Sequence, residues 1–159
     1  MTNKDIQKEK DEIRTHVLVQ CEGLDMRALA DSAVEKLSSD EDFLKAKIIF
    51  AYNPFGHEIP FVKKLREKFP EKKFYYPEMD GKKMHFEYDE APDLIFVPAI
   101  AVDKDGNRLG RGWGCYDTFL SSLGAQLPSL CIVPECAVVD KIAVEPHDVA
   151  INKIIICKQ

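Results

Sequence analysis

Two periods of apolar residues run through the chain, and together they predict alternating helices and strands. Ile6, Ile13, Val17 and Leu18 stand among charged neighbours over residues 3 to 20, with Lys10, Arg14 and Val17 at helical spacing, which predicts a charged amphipathic helix. Met26, Leu29, Ala30, Ala33 and Val34 predict a second helix over Asp25 to Leu37, followed by the loop SSDED. Lys47 to Tyr52 (KIIFAY) is short, apolar and β-rich, the mark of a core strand, and Asn53-Pro54-Phe55-Gly56 breaks it. Ile59, Val62 and Leu65 predict a helix over Glu58 to Phe69, with Pro60 in its first turn. Strands are expected at Lys73 to Tyr76, which Pro77 closes, at Lys83 to Tyr88 (antiparallel) and at Asp93 to Val97, which Pro98 ends. A helix over residues 114 to 123, a strand at Ser129 to Val133, a short helix near Cys136 to Lys141 and a last strand at Lys153 to Cys157 complete the order.

Strands that alternate with helices imply an α/β fold: three layers, a doubly wound and mostly parallel sheet with helices on both faces. Ligands of such sheets bind beyond the carboxyl ends of the strands. Glu58, the run Asp103 to Asp117 and the turn Glu145-Pro146-His147-Asp148 are candidates for that end.

The run Asp103 to Asp117, DKDGNRLGRGWGCYD, changes the picture most, because Gly106, Gly110, Gly112 and Gly114 are four of the chain's eight glycines. A glycine-rich turn feeding a helix start presents several backbone N–H groups under the positive end of the helix dipole. Arg108 and Arg111 stand beside it and can donate charge-assisted hydrogen bonds to anionic oxygens. The spacing is that of a polyphosphate cradle, though it is neither of the two common phosphate-loop motifs. The alternative is an irregular structural loop, and KDGN is an ordinary turn signal. On the first helix, Lys10 and Arg14 at i and i+4 share a face; such cations repel unless an anion lies between them, and a solvated face is their usual fate.

Composition narrows the class. At 159 residues, 45% hydrophobic and 31% charged, the chain reads as a single globular domain over residues 1–159. The net charge of −5 argues against non-specific nucleic-acid binding. No apolar run reaches membrane-span length and the N-terminus MTNKDIQKEKDE is not a secretory signal, so a cytoplasmic location and no membrane partner are expected. Five cysteines without a CxxC pair fit reduced thiols, with Cys131 and Cys136 as small core residues.

Asp93 to Leu120, DLIFVPAIAVDKDGNRLGRGWGCYDTFL, resembles the signature of the 5-formyltetrahydrofolate cyclo-ligase (methenyltetrahydrofolate synthetase) family. K-x-x-I-R at Lys10 to Arg14, Tyr52 followed by Glu58, PEMDGKKMHF and VEPHDVAINKIII are secondary matches. The resemblance implies conversion of 5-formyltetrahydrofolate to 5,10-methenyltetrahydrofolate with ATP and Mg²⁺, through phosphorylation of the formyl oxygen. It implies that Lys10, Arg14, Arg108, Gly110, Arg111, Gly112, Trp113, Gly114, Cys115 and Tyr116 contact ATP, with Arg111 and Tyr116 in catalytic places. Tyr52 and Glu58 are then the folate-binding residues, and Asp117 and Asp148 the magnesium ligands. The partners implied are a reduced folate and a nucleotide, and the protein is expected to be a monomer or weak homodimer.

Four departures stand against the family pattern. Trp113 occupies a Gly or Lys position, Cys115 replaces an aromatic, Thr118 replaces a basic residue, and only eight residues separate Met84 from Asp93, where a longer segment is usual. Two readings follow: an ATP-dependent cyclo-ligase or a relative acting on another small substrate, and a divergent, catalytically weak nucleotide- or folate-binding protein. A sugar-phosphate isomerase on a similar sheet is more remote, since His57, His85 and His147 have no paired base in the sequence.

Overall fold

The computed structural model describes residues 1–81, 83–124 and 126–159. Three helices open the chain: α1 (Asn3–Gln20), α2 (Met26–Leu37) and α3 (Glu41–Lys45). Each starts on a side chain that accepts an otherwise orphaned backbone N–H: Thr2 Oγ1 from Asp5, Asp25 from Ala28, and Asp40 from Phe43. Thr2 and Asp5 cap each other reciprocally. The SSDED segment, expected as a loop, therefore carries α3: Asp40 caps it and Phe43 buries in the core.

The strand β1 (Ile48–Phe50) precedes α4 (Val62–Lys68) and β2 (Lys73–Tyr75). Helix α4 starts four residues later than expected, because Ile59 and Phe61 bury in the preceding irregular stretch. A hairpin of β3 (Pro77–Asp80) and β4 (Lys83–Phe86) follows, separate from the main sheet. Pro77 begins β3, where it was expected only to close β2. Next come β5 (Leu94–Phe96), the short hairpin β6 (Ala101–Val102) and β7 (Arg108–Leu109), α5 (Cys115–Leu123), β8 (Ser129–Pro134) and β9 (Lys153–Cys157). The helix expected near Cys136 to Lys141 is a single 3₁₀ turn at Glu135–Ala137.

Five parallel strands form the central sheet in the order β2-β1-β5-β8-β9. Alternate side chains of its strands enter two cores. Ile49, Leu94, Phe96, Leu130 and Ile132 join Leu29, Phe43 and Leu65 of α2, α3 and α4. Phe50, Ile95, Val97, Cys131 and Val133 join Val17 of α1 and Leu120 of α5 on the other face. The three layers expected from the sequence are thus present. Chain order reverses between β1 and β5, the switch point where ligands of such sheets bind.

Two features fix the chain above that edge. Asp103 is fully buried and accepts from the N–H groups of Asp105, Asn107 and Ile142 and from the Asn107 side chain. It ties the β6–β7 turn to the segment beyond the 3₁₀ turn. Gly106, at φ 84°, lies so close to the Ile151 carbonyl that a Cβ would meet its oxygen at 2.3 Å.

The cysteine expectation is corrected. Cys21, the C-cap of α1, is bridged to Cys136 in the 3₁₀ turn, with Cα atoms 5.8 Å apart. Both are half-buried, so Cys136 is a staple and not a core filler. Cys131 is the core residue expected: it is buried, its thiol donates to the Val97 carbonyl, and burial pushes its pKa up to about 12. No helix among the described residues is long and apolar enough to cross a membrane.

Candidate active site

A cavity of about 430 Å³ opens beyond the carboxyl ends of β1 and β5. Its floor is Tyr52 and Asn53 after β1 and Pro98 to Ile100 after β5. The glycine-rich run Gly110 to Tyr116 forms one wall, α1 and the turn before β9 form another, and Phe55, Pro77, Met79 and Met84 line the mouth. All fourteen residues named from the sequence line this one cavity: Lys10, Arg14, Tyr52, Glu58, Arg108, Gly110, Arg111, Gly112, Trp113, Gly114, Cys115, Tyr116, Asp117 and Asp148.

The α1 cations are not a solvated face. Arg14 donates from Nε to the Gly110 carbonyl at 2.7 Å and from Nη1 to Asp11 at 2.7 Å, so it grips the cradle backbone directly. Lys10 is buried, with its ammonium 2.9 Å from Glu145 Oε1 and 2.7 Å from Asp148 Oδ2. Burial alone lowers the Lys10 pKa, but hydrogen bonds to Asp148 and Glu145 outweigh it and hold it above its ordinary value. In Asp148 burial pushes the pKa up, and the Lys10 and Glu145 N–H bonds more than reverse it. Each cation is thus paired with its own protein carboxylates, Lys10 with Glu145 and Asp148 and Arg14 with Asp11.

The cradle ends at Gly114, which caps α5 in the left-handed region at φ 71° with no side-chain hydrogen bond. A residue with a Cβ is strained there, and the helix start keeps its N–H groups clear of a side-chain cap. Arg108 is largely structural: Nη1 donates to the Pro98 carbonyl at 2.8 Å, its guanidinium lies 5.6 Å from the Tyr116 ring centre, and Nη2 is 3.8 Å from Asp117. Its Nε is buried with no partner among the described residues. Arg111 is exposed and stacks on Phe55 at 3.8 Å, which places its charge at the mouth. Trp113 is 68% exposed, so the indole stands at the rim and leaves the hollow open.

Glu58, expected to bind the folate, accepts from the Phe55 N–H at 3.1 Å. Burial raises its pKa, against the Phe55 bond and the Arg111 charge. Tyr52 is buried beside it, and burial raises the Tyr52 and Tyr116 pKa values so that both phenols keep their protons. Asp117 does not cap its own helix: Oδ1 accepts from the Val149 N–H at 3.1 Å, joining α5 to the turn that carries Asp148. Carboxylates suit a hard divalent cation, and Mg²⁺ typically takes one or two of them with phosphate and water. The donor chemistry of Asp117 and Asp148 therefore fits the ion implied by the resemblance. Among the described residues, Asp148 shares a cluster within 4.8 Å with Glu145 and His147; Glu78, His85 and Glu87 form a second, exposed one, and Asp117 belongs to neither.

Gln7 and His147 also line the cavity, and Glu145 pairs with Lys10 just outside its lining; none of the three is among the site residues expected from the sequence. Gln7 lies three residues before Lys10, on the same helical face, and its amide donates to Glu145 at 2.5 Å. That spacing was the only available signal; nothing local marks Glu145 as the partner of a lysine 135 residues earlier.

A doubly wound parallel α/β sheet with a cationic glycine-rich cavity at its switch point defines the class. Comparison with known proteins defines the family. Residues 66–157 match the model of the 5-formyltetrahydrofolate cyclo-ligase family. A 5-formyltetrahydrofolate cyclo-ligase of Mycoplasma pneumoniae is 31% identical over 120 residues, covering 69% of this chain and 72% of that protein. The cyclo-ligase of Mycolicibacterium smegmatis is 43% identical over 67 residues, 42% of this chain and 34% of that protein. The solved structure of a 5,10-methenyltetrahydrofolate synthetase from Mycoplasma pneumoniae superposes with a TM-score of 0.79 at 26% identity, over 92% of this chain and 97% of that one. The chain belongs to the 5-formyltetrahydrofolate cyclo-ligase family. Its matched segments span only about a third of the mycobacterial and mouse relatives, 34% and 33%.

Proposed function

We propose that the protein is an ATP- and Mg²⁺-dependent enzyme that converts 5-formyltetrahydrofolate to 5,10-methenyltetrahydrofolate. The observation that carries the reading is the contact of Arg14 Nε with the Gly110 carbonyl, which fastens the α1 cations to the glycine-rich wall of one cavity. ATP supplies the phosphoryl group that turns a poor leaving oxygen into a good one. The formyl oxygen bonds to the γ-phosphorus as the bond to ADP breaks; the neighbouring amine nitrogen then attacks the formyl carbon, the C–O bond breaks, and phosphate departs with the amine proton.

The chain's part in this chemistry is positioning and charge neutralisation. Lys10, Arg14 and Arg111 offset triphosphate charge, while the amides from Gly110 to Tyr116 approach its oxygens. Glu58 accepts from pterin N–H donors, for which a carboxylate has two oxygens side by side. Asp117 and Asp148 hold the divalent cation, which neutralises charge on the transferring phosphoryl group when bound.

Purified protein with ATP, Mg²⁺ and 5-formyltetrahydrofolate should build the near-ultraviolet absorbance of methenyltetrahydrofolate. No growth of that band, with ATP binding retained by calorimetry, would leave a nucleotide-binding protein of the same fold. The exposed Trp113 leaves the hollow open to a nucleotide, as either reading requires.

A further inference from the structure

Lys10, Glu145 and Asp148 form a closed arrangement. The ammonium meets Glu145 Oε1 and Asp148 Oδ2, and the Glu145 backbone N–H donates to the same Asp148 oxygen at 2.9 Å. The Glu145 side chain is itself only 9% exposed and is held from behind by the Gln7 amide. A lysine has three N–H donors, so this clamp engages two and leaves the third for an anionic oxygen in the cavity.

We propose that Glu145 is a positioning residue of the nucleotide site: it fixes the Lys10 ammonium in advance, so that the third N–H meets a phosphate oxygen without the side chain having to be ordered on binding. The proposal rests on the ATP reading above. A lysine's four-carbon stem has wide rotamer freedom, and freezing it before the ligand arrives removes that cost from association. Asp148 cannot do this alone, because a divalent cation on its carboxylate draws off the charge that would hold the ammonium. Glu145, tied to Gln7 and to the turn backbone, keeps its grip.

The sign of its effect separates this role from a merely structural one. A carboxylate beside a polyphosphate is repulsive, so Glu145 strengthens nucleotide binding by acting through Lys10 or through a cation it helps to hold, and the Lys10→Met background separates the two. Two measurements on the full chain test it. Amine labelling read by mass spectrometry, without nucleotide, should find Lys10 protected and should find Glu145→Ala labelled there about tenfold faster. Calorimetry with ATP should find Glu145→Ala about five- to tenfold weaker when Lys10 is present. In a Lys10→Met background the same change should leave affinity unaltered or tighten it. Glu145→Gln, nearly isosteric, should weaken binding about two- to threefold with Lys10 present, and it serves if the alanine variant does not fold.

Unchanged labelling overturns the proposal. So does equal loss in both backgrounds, or ATP binding that is unchanged or tighter in Glu145→Ala with Lys10 present. A wild-type protein that binds no ATP refutes the nucleotide reading itself, and with it this role, while the labelling still reports whether Glu145 holds Lys10.

Discussion

Arg14 Nε donates to the Gly110 carbonyl at 2.7 Å, joining residues 96 positions apart. A helix near the start of the chain thereby becomes a wall of a cavity whose opposite wall is the glycine-rich run. A guanidinium can donate to that carbonyl, to Asp11 and to a ligand together, which a lysine cannot match in geometry. Arg14→Ala should raise the ATP dissociation constant about tenfold or more, the equivalent of a charged hydrogen bond worth about 1.5–3 kcal/mol. Arg14→Lys should recover little of it. Calorimetry measures both, and a lysine variant with wild-type affinity would show that charge alone is used.

Trp113, the only tryptophan, stands exposed at the rim. A nucleotide or folate ring that covers it should change its emission and shift it to the blue. An unchanged spectrum at saturating ATP and 5-formyltetrahydrofolate, with binding verified by calorimetry, would place the indole outside both contacts.

Stability should fall on acidification. The pKa values of Asp103 and Asp148 are pushed up by burial but held below their ordinary 3.8 by hydrogen bonds, so their contribution is full above 3.8 and lost as pH falls through the lowered values. Lys10 lies above its ordinary 10.5, so its contribution is full below 10.5 and lost only above the raised value. From these three groups, urea stability should be flat between about pH 5 and pH 10 and decline below. Asp103→Ala, which strands several buried N–H donors, should cost about 3–5 kcal/mol near neutrality.

Gly106→Ala should destabilise by about 2–4 kcal/mol, from the positive φ and the approach to the Ile151 carbonyl. Urea denaturation at neutral pH reads it, and wild-type stability would mean the turn moves freely.

Breaking the Cys21–Cys136 bridge, which spans 115 residues, should cost about 2–4 kcal/mol, seen as a lower Tm in Cys21→Ser. Thiol titration of the denatured protein should find two more thiols after reduction than before. An unchanged count would remove the bridge.

What the sequence disclosed was governed by range. The five core strands were legible because Ile49, Leu94, Leu130 and their neighbours form short apolar runs, and the cradle because four glycines crowd into one stretch. Strand β4 was legible at Lys83 to Tyr88, but its partner β3 and the helix α3 were missed, since Pro77 reads as a terminator and SSDED as a loop until Asp40 is seen capping Phe43. The Cys21–Cys136 pair and the Glu145 partner of Lys10 left no local trace. Both join positions more than a hundred residues apart, and spacing in a sequence carries no information about such encounters.

Helix α1 docks through Lys10, Arg14, Gln7 and Cys21 to partners at residues 145, 148, 110 and 136. It is translated before every one of those partners and waits, half-dressed, for the later chain. Until residue 148 has emerged, Lys10 lacks its full pair of carboxylates, so this helix settles onto the sheet only late in synthesis.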